Sequence, residues 1–218
     1  MPFQLLSNPR SRLAPEPAAL EAFGRLARLS RFGAGEDIFA QEAQATGYYR
    51  LVKGVARGTR LLVDGRRQVS AFYFPGDMFG LEIGAIHLNA VEALSDCEVQ
   101  IVKRAALAAA PDGPRIERLV WQVTSQQLEG AHERMLLLAR HNAYEKVACF
   151  LMEIARRGEG PWANLAMSRQ DIADYLGLTI ETVSRMLTQL QHDGVVALDG
   201  SRRFRMSPRR ETAGNLAA

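Results

Sequence analysis

At 218 residues, with 47% hydrophobic and 23% charged side chains, the chain has a globular balance and enough length for two modest cores. No apolar run approaches the ~20 residues of a membrane span and the N-terminus MPFQLLSNPRSRLAPEP lacks a signal-peptide core, so a cytoplasmic, non-membrane protein is expected. Two cysteines, Cys97 and Cys149, are too few for a disulfide scaffold, and a net charge of +3 does not by itself declare a nucleic-acid partner.

Residues 1–18, rich in Pro, Arg, Ser and Ala without periodicity, read as a flexible arm. A short helix is predicted from 17 to about 29, with Leu20, Phe23, Leu26 and Ala27 on its apolar side. Short strand-like runs follow at 37–39, 48–53, 56–63, 68–74, 89–94 and 98–102. Turn signals punctuate them at Lys53-Gly54, Asp64-Gly65 and Pro75-Gly76-Asp77. Strands this short and regular predict a closed or double-layered β structure over 19–113. Gly33-Ala34-Gly35 is no phosphate loop, because no strand-turn-helix unit surrounds it.

A long helix is predicted over 114–140, with Pro114 suiting its first turn. Ile116, Leu119, Val120, Val123, Leu128, Ala131, Met135 and Leu138 form an apolar stripe, interrupted at Thr124-Ser125-Gln126-Gln127. At ~1.5 Å per residue the helix is ~40 Å long, more than a domain of this size covers alone. A seam between two identical subunits is therefore expected, through Ile116, Val120, Val123, Gln127, Ala131, Met135 and Leu138. Asn142-Ala143 reads as a hinge, and 144–157 as an amphipathic helix opening a second domain over 141–207.

Within that domain, MSRQDIADYLGLTIETVSRMLTQLQHDG, residues 167–194, reads as two helices joined by a tight turn. Ser168 and Thr179 can cap them, and Gly177 sits where the chain must reverse through a left-handed conformation. Val183, Met186, Leu187 and Leu190 face inward, leaving Ile180, Glu181, Ser184 and Arg185 outside, where such a motif presents side chains to base edges. Asp199-Gly200-Ser201 then signals a hairpin, a wing rich in arginine. Ser168, Arg169, Thr179, Thr182, Arg202, Arg203 and Arg205 are the expected contacts to the DNA backbone. Residues 208–218 read as a tail.

This order, together with YRLVKG at 49–54, FYFPGDMFGLE at 72–82, VEALSDCEV at 91–99 and MLLLARHNAYEKVACFL at 135–151, resembles the Crp/Fnr superfamily of bacterial transcription regulators. The Glu181, Ser184, Arg185 pattern is similar to its FixK and Fnr branch. The resemblance implies an α+β fold: an N-terminal double-stranded β-helix (jelly-roll, cyclic-nucleotide-binding-like) domain, a long dimerisation helix and a C-terminal winged helix-turn-helix. It implies a homodimer that reads palindromic double-stranded DNA with TTGA…TCAA half-sites and activates through RNA polymerase. Arginine can grip guanine O6 and N7, and a carboxylate can accept from cytosine N4.

Two departures bear on control. Cyclic-nucleotide-binding members carry a glutamate followed by an Arg-Ser pair; here Glu82 is present, but Ile86-His87-Leu88-Asn89-Ala90-Val91 offers no arginine for a phosphate. Oxygen-sensing members need an N-terminal cysteine group for an iron–sulfur cluster, and residues 1–96 contain no cysteine. The expectation is the FixK type, with no cofactor and no metal, controlled by its abundance or by a thiol. Cys97 and Cys149 themselves read as core thiols. His87, His132, His141 and His192 lie in separate elements without metal-ligand spacing, and His87 reads as a loop histidine at a turn. The alternative is an effector-gated sensor whose β-domain binds haem or another small ligand. No nucleophile–base pair, metal cluster or phosphate loop supports an enzyme.

Overall fold

The computed structural model describes residues 14–140, 142–158 and 160–207. The chain divides into two compact units, Met1–Arg140 and His141–Ala218. Most of the expected arm and all of the tail 208–218 lie outside the described residues.

The first unit opens with helix α1 (Pro17–Leu26), whose first turn holds the proline. The helix stops short of residue 29 because Arg28–Phe32 is strand β1, paired antiparallel with β8 (Cys97–Lys103). Between them come β2 (Asp37–Phe39), β3 (Gly47–Lys53), β4 (Ala56–Leu61), β5 (Arg67–Tyr73), β6 (Met78–Phe79) and β7 (Ala90–Ala93). They form two four-stranded antiparallel sheets, β1-β8-β3-β6 and β2-β7-β4-β5, so the double-layered β expectation holds. β4 ends at Leu61, two residues early, and Val63 is left fully exposed in the turn.

Alternation along the strands builds two cores. Leu51, Val99 and Cys97 point between the sheets to meet Phe39, Phe79 and Val91. Val102 points the other way and packs with Phe23 of α1 and with Ile116 and Leu119 of the long helix α3 (Gly113–Arg140), reached through the short helix α2 (Arg104–Leu107). The β3–β4 turn depends on Gly54, at φ +91°, because a Cβ there would lie 2.4 Å from the Asp96 carbonyl oxygen and 2.7 Å from Cys97 Sγ.

The second unit begins with α4 (Ala143–Arg157), whose Asn142 makes a capping box with Glu145. Then follow β9 (Ala163–Asn164), α5 (Arg169–Leu176), α6 (Ile180–His192), β10 (Val196–Asp199) and β11 (Arg203–Met206). The last two and β9 form a three-stranded sheet ordered β10-β11-β9. Val147, Leu151, Ile172, Leu176, Leu187, Leu190 and Phe204 are all buried and give this unit a core of its own.

Candidate nucleic-acid interface

Helices α5 and α6 are set by local chemistry. Ser168 Oγ accepts from the Asp171 backbone N–H, and Asp171 accepts in return from the Ser168 N–H at 2.9 Å. Gly177 ends α5 in the left-handed region (φ 64°, ψ 41°), and both its N–H and that of Leu178 return to the Ala173 carbonyl. Ala173 is fully buried, and its small side chain allows a close approach of backbones. Thr179 then caps α6 by accepting from the Thr182 N–H at 3.2 Å.

With Val183, Met186, Leu187 and Leu190 buried, α6 turns Ile180, Glu181 and Arg185 to solvent and leaves Ser184 half-buried beside them. The fully exposed Glu181 carboxyl is held below the usual carboxylate range by its own backbone N–H and then by the Thr179 hydroxyl. It is therefore an ionised acceptor at neutral pH, and it stands at the helix N-terminus, where negative charge is favoured. Arg185 has no side-chain partner among the described residues. The row carries an acceptor, a hydroxyl and a bidentate donor at three- and four-residue steps, the chemistry needed to read base edges in a major groove.

The expected backbone contacts divide. Ser168 is withdrawn as a hydroxyl donor, because its one proton already goes to Asp171 Oδ2 at 2.7 Å. Thr179 and Thr182 hold their hydroxyls 3.1 Å apart at the start of α6, and the Thr179 hydroxyl also bonds the Glu181 carboxylate, so both are engaged within the helix start. The side chains of Arg169 and Arg202 have no partner among the described residues, the Arg202 carbonyl alone accepting from the Leu165 N–H at 2.7 Å. Arg203 donates to Asp199 at 3.2 Å, and its guanidinium carbon stands 5.3 Å from the ring centre of Trp162. That of Arg205 stands 5.2 Å from the same ring. Trp162 is thus a functional candidate that the sequence pattern missed; only strand pairing brings it to the wing.

The long helix also sorts differently from its stripe. Ile116 and Val120 are withdrawn from the expected seam, since they are buried in the core that α3 shares with α1 and β8. Val123 packs partly against that core, and Gln127 donates to the Met78 carbonyl at 2.7 Å. Arg134 binds the Ser70 carbonyl of β5, so the first unit holds α3 through polar anchors as well. Among the apolar side chains α3 leaves exposed are Trp121, Leu128 and Met135, seven residues apart, with Ala131 and Leu138 beside them and Leu136 next to Met135. A seven-residue repeat is the seam spacing of paired helices.

In the β-domain His87 lies in the loop between β6 and β7, as expected, next to an isolated bridge between Ile86 and Gln44. It is fully buried, its ring stacks on Phe39 at 3.7 Å and 14°, and Nδ1 lies 3.2 Å from Glu82 Oε2. Its backbone exchanges bonds with Glu42 and Ala43, which draws the loop into the sheet sandwich. Arg104 straps the same loop by donating to the carbonyls of Gly80 and Gly84 at 3.1 Å each. Among the described residues no group of three or more His, Cys, Asp or Glu could hold a metal ion. No described helix is long and apolar enough to cross a membrane.

Burial raises both thiols. Cys97 is buried and hydrogen-bonded to the Val55 carbonyl, and the half-buried Cys149 is pushed up to about 11 by desolvation and then by Glu145. Only about one Cys149 in a thousand is thiolate at pH 8, and the thiolate is the reactive form. Alkylation of the folded protein at pH 8 should therefore run far slower than in denaturant, as mass spectrometry over time can show. Modification of either cysteine at the rate of a free thiol would contradict this account.

A sequence profile described as "Bacterial regulatory proteins, crp family" matches residues 165–196, and one described as "Cyclic nucleotide-binding domain" matches residues 29–111. The chain is 44% identical over 185 residues to the Nitrogen fixation regulation protein FixK of Azorhizobium caulinodans, covering 82% of this chain and 75% of that one. It is 38% identical over 194 residues to the Transcriptional activatory protein AadR of Rhodopseudomonas palustris, covering 85% and 81% respectively. Among solved structures, FixK2 from Bradyrhizobium japonicum matches with a TM-score of 0.78 at 43% identity, covering 84% of this chain and 93% of that one.

Proposed function

The chain belongs to the Crp/Fnr family of bacterial transcription regulators, in its FixK-type branch, and from that premise we propose a homodimeric activator that binds palindromic DNA without a small-molecule effector. One observation carries the DNA reading: the outward row of exposed Glu181 and Arg185 with half-buried Ser184 between them, on a helix whose other face is packed. Arg185 grips guanine O6 and N7 in a TTGA…TCAA half-site, and Glu181 accepts from the paired strand's cytosine N4. The exposed seven-residue repeat on α3 supports the dimer, in which recognition helices about 34 Å apart meet successive major grooves. RNA polymerase is the protein partner of an activator, and its DNA partner places it in the cytoplasm.

Effector independence rests on the β-domain. Glu82, its inward carboxylate, is already engaged by His87, and Arg104 is taken up by two backbone carbonyls and the Tyr48 ring. Neither is left free for a cyclic nucleotide, the carboxylate for a ribose hydroxyl or the guanidinium for the phosphate. A ligand shifts a conformational equilibrium only through differential affinity for two states, and these contacts leave a cyclic nucleotide little to bind. One observation favours the effector-gated alternative: His87 Nε2 is buried without a partner among the described residues, as a ligand-seeking nitrogen would be. Its zero exposure, with Phe39 against the ring face, requires the loop to open before haem or any other ligand reaches it.

The test is a titration of TTGA…TCAA duplex with apo protein at ~0.1 M salt, with and without cyclic AMP. Tight binding unaffected by cyclic AMP, from protein lacking a Soret band, is the expected result. A gain of about a hundredfold with cyclic AMP, a coupling near 3 kcal/mol, would overturn effector independence.

A further inference from the structure

The loop before the helix-turn-helix and the second wing strand meet on one face. In the antiparallel register Phe204 pairs with Ala163 and Arg203 with Asn164, so one step further on Arg205 stands opposite Trp162. On the other side Arg203 pairs with Asp199 and Arg205 with Ala197. Paired residues share a face of the sheet. Phe204 and Ala163 are buried on the inner face, while Arg203, Arg205 and Asn164 are exposed on the outer.

Two guanidiniums flank a single indole at 5.2 and 5.3 Å. They must therefore lie within about 10 Å of each other, roughly the screening length at 0.1 M salt, so they repel. The only carboxylate bound to either among the described residues is Asp199, on Arg203. The tip adds exposed Arg202, whose guanidinium has no partner among the described residues. The face of the half-buried Trp162 indole attracts a guanidinium and restricts its many rotamers, which lowers the ordering cost when an anion is later bound. The arrangement gathers positive charge, holds it in place and leaves it largely uncompensated.

We propose that Trp162 is a positioning residue that holds Arg203 and Arg205 for the phosphate backbone of duplex DNA, making the outer wing face a sequence-independent contact. The proposal deepens the DNA-binding reading and rests on it. Asp199 sits in the same face as a built-in competitor for Arg203. The indole touches no base, so its removal acts on every sequence alike.

The experiment measures binding of the full-length protein to operator and to random duplex across a salt series, for wild type, Trp162→Ala, Trp162→Phe and Asp199→Asn. Trp162→Ala should weaken both duplexes by about fivefold to tenfold and flatten the salt slope by about one unit per lost contact. Trp162→Phe, which keeps a π face, should restore most of the loss. Asp199→Asn, an exposed change that does not test folding, should tighten both duplexes and steepen the slope. The emission that disappears in Trp162→Phe should shift when wild type binds random duplex. Unchanged slopes in Trp162→Ala and Asp199→Asn, or a loss confined to the operator, would overturn the proposal while leaving base reading intact. A wild type indifferent to every duplex would instead defeat the DNA-binding reading beneath it.

Discussion

Leu128→Glu should leave each chain folded but make it monomeric, and should weaken binding to a full palindrome by about a hundredfold or more. Leu128 is 59% exposed, so the substitution removes little from its own unit. In the proposed seam, however, a twofold axis brings each carboxylate against apolar Trp121 and Met135 of the other copy and toward the second carboxylate. Burying an unpaired charge there costs more than the apolar contact stabilises. Linkage of two half-site readers is then lost, and with it the gain of about 10²–10⁴ that linkage confers. Sedimentation should show monomers, with a thermal transition near that of wild type. Ile116→Glu is the contrasting change: Ile116 is fully buried within its own unit, and that variant should unfold rather than dissociate. A Leu128→Glu protein that still sediments as a dimer would move the seam off this face of α3.

Arg185→Ala should cost about 1–3 kcal/mol per half-site on the specific operator and leave affinity for random duplex nearly unchanged. Because two half-sites are read together, a dimer loses that twice. The reason is geometric. Arg185 is exposed on α6, has no competing partner among the described residues, and lies one helical turn from the ionised Glu181. Preference should relax at a single base pair in each half-site, which a selection from randomised duplexes can locate. Arg202→Ala is the control, since a phosphate contact weakens every duplex alike. If Arg185→Ala did the same, Arg185 would be a backbone contact and the reading residue would lie elsewhere on α6.

The recognition motif was legible because its determinants are local. A capping serine, a carboxylate three residues on, a glycine at the reversal and an apolar period near 3.6 all fall within 28 residues and act through neighbours in the chain. The gross order of β-domain, long helix and winged domain was legible for the same reason, as turn signals and periodicity change texture along the chain. The errors came where one residue type has two physically distinct uses. Apolar side chains on α3 read as a single stripe, yet Ile116 and Val120 face the chain's own core while Leu128 and Met135 face out, joined by Trp121, which the stripe did not include. Ser168 read as both a cap and a backbone contact, yet one hydroxyl proton cannot serve Asp171 and a phosphate together.

By itself, then, the sequence determined the helix-turn-helix, its outward row of Glu181, Ser184 and Arg185, and the family to which they belong. It also determined what the segment after Glu82 lacks, an arginine within 83–91, and that no cysteine stands among residues 1–96, because absences need no folding to be read. Tertiary structure alone decided which partners meet across long separations. It buried His87 against Phe39 and Glu82, paired β1 with β8, took Gln127 to the Met78 carbonyl, and set Trp162 beside two arginines some 40 positions further along. Periodicity tells which residues share a face of an element, but which surface that face meets depends on strand register and packing, and these are settled only when the whole chain closes on itself.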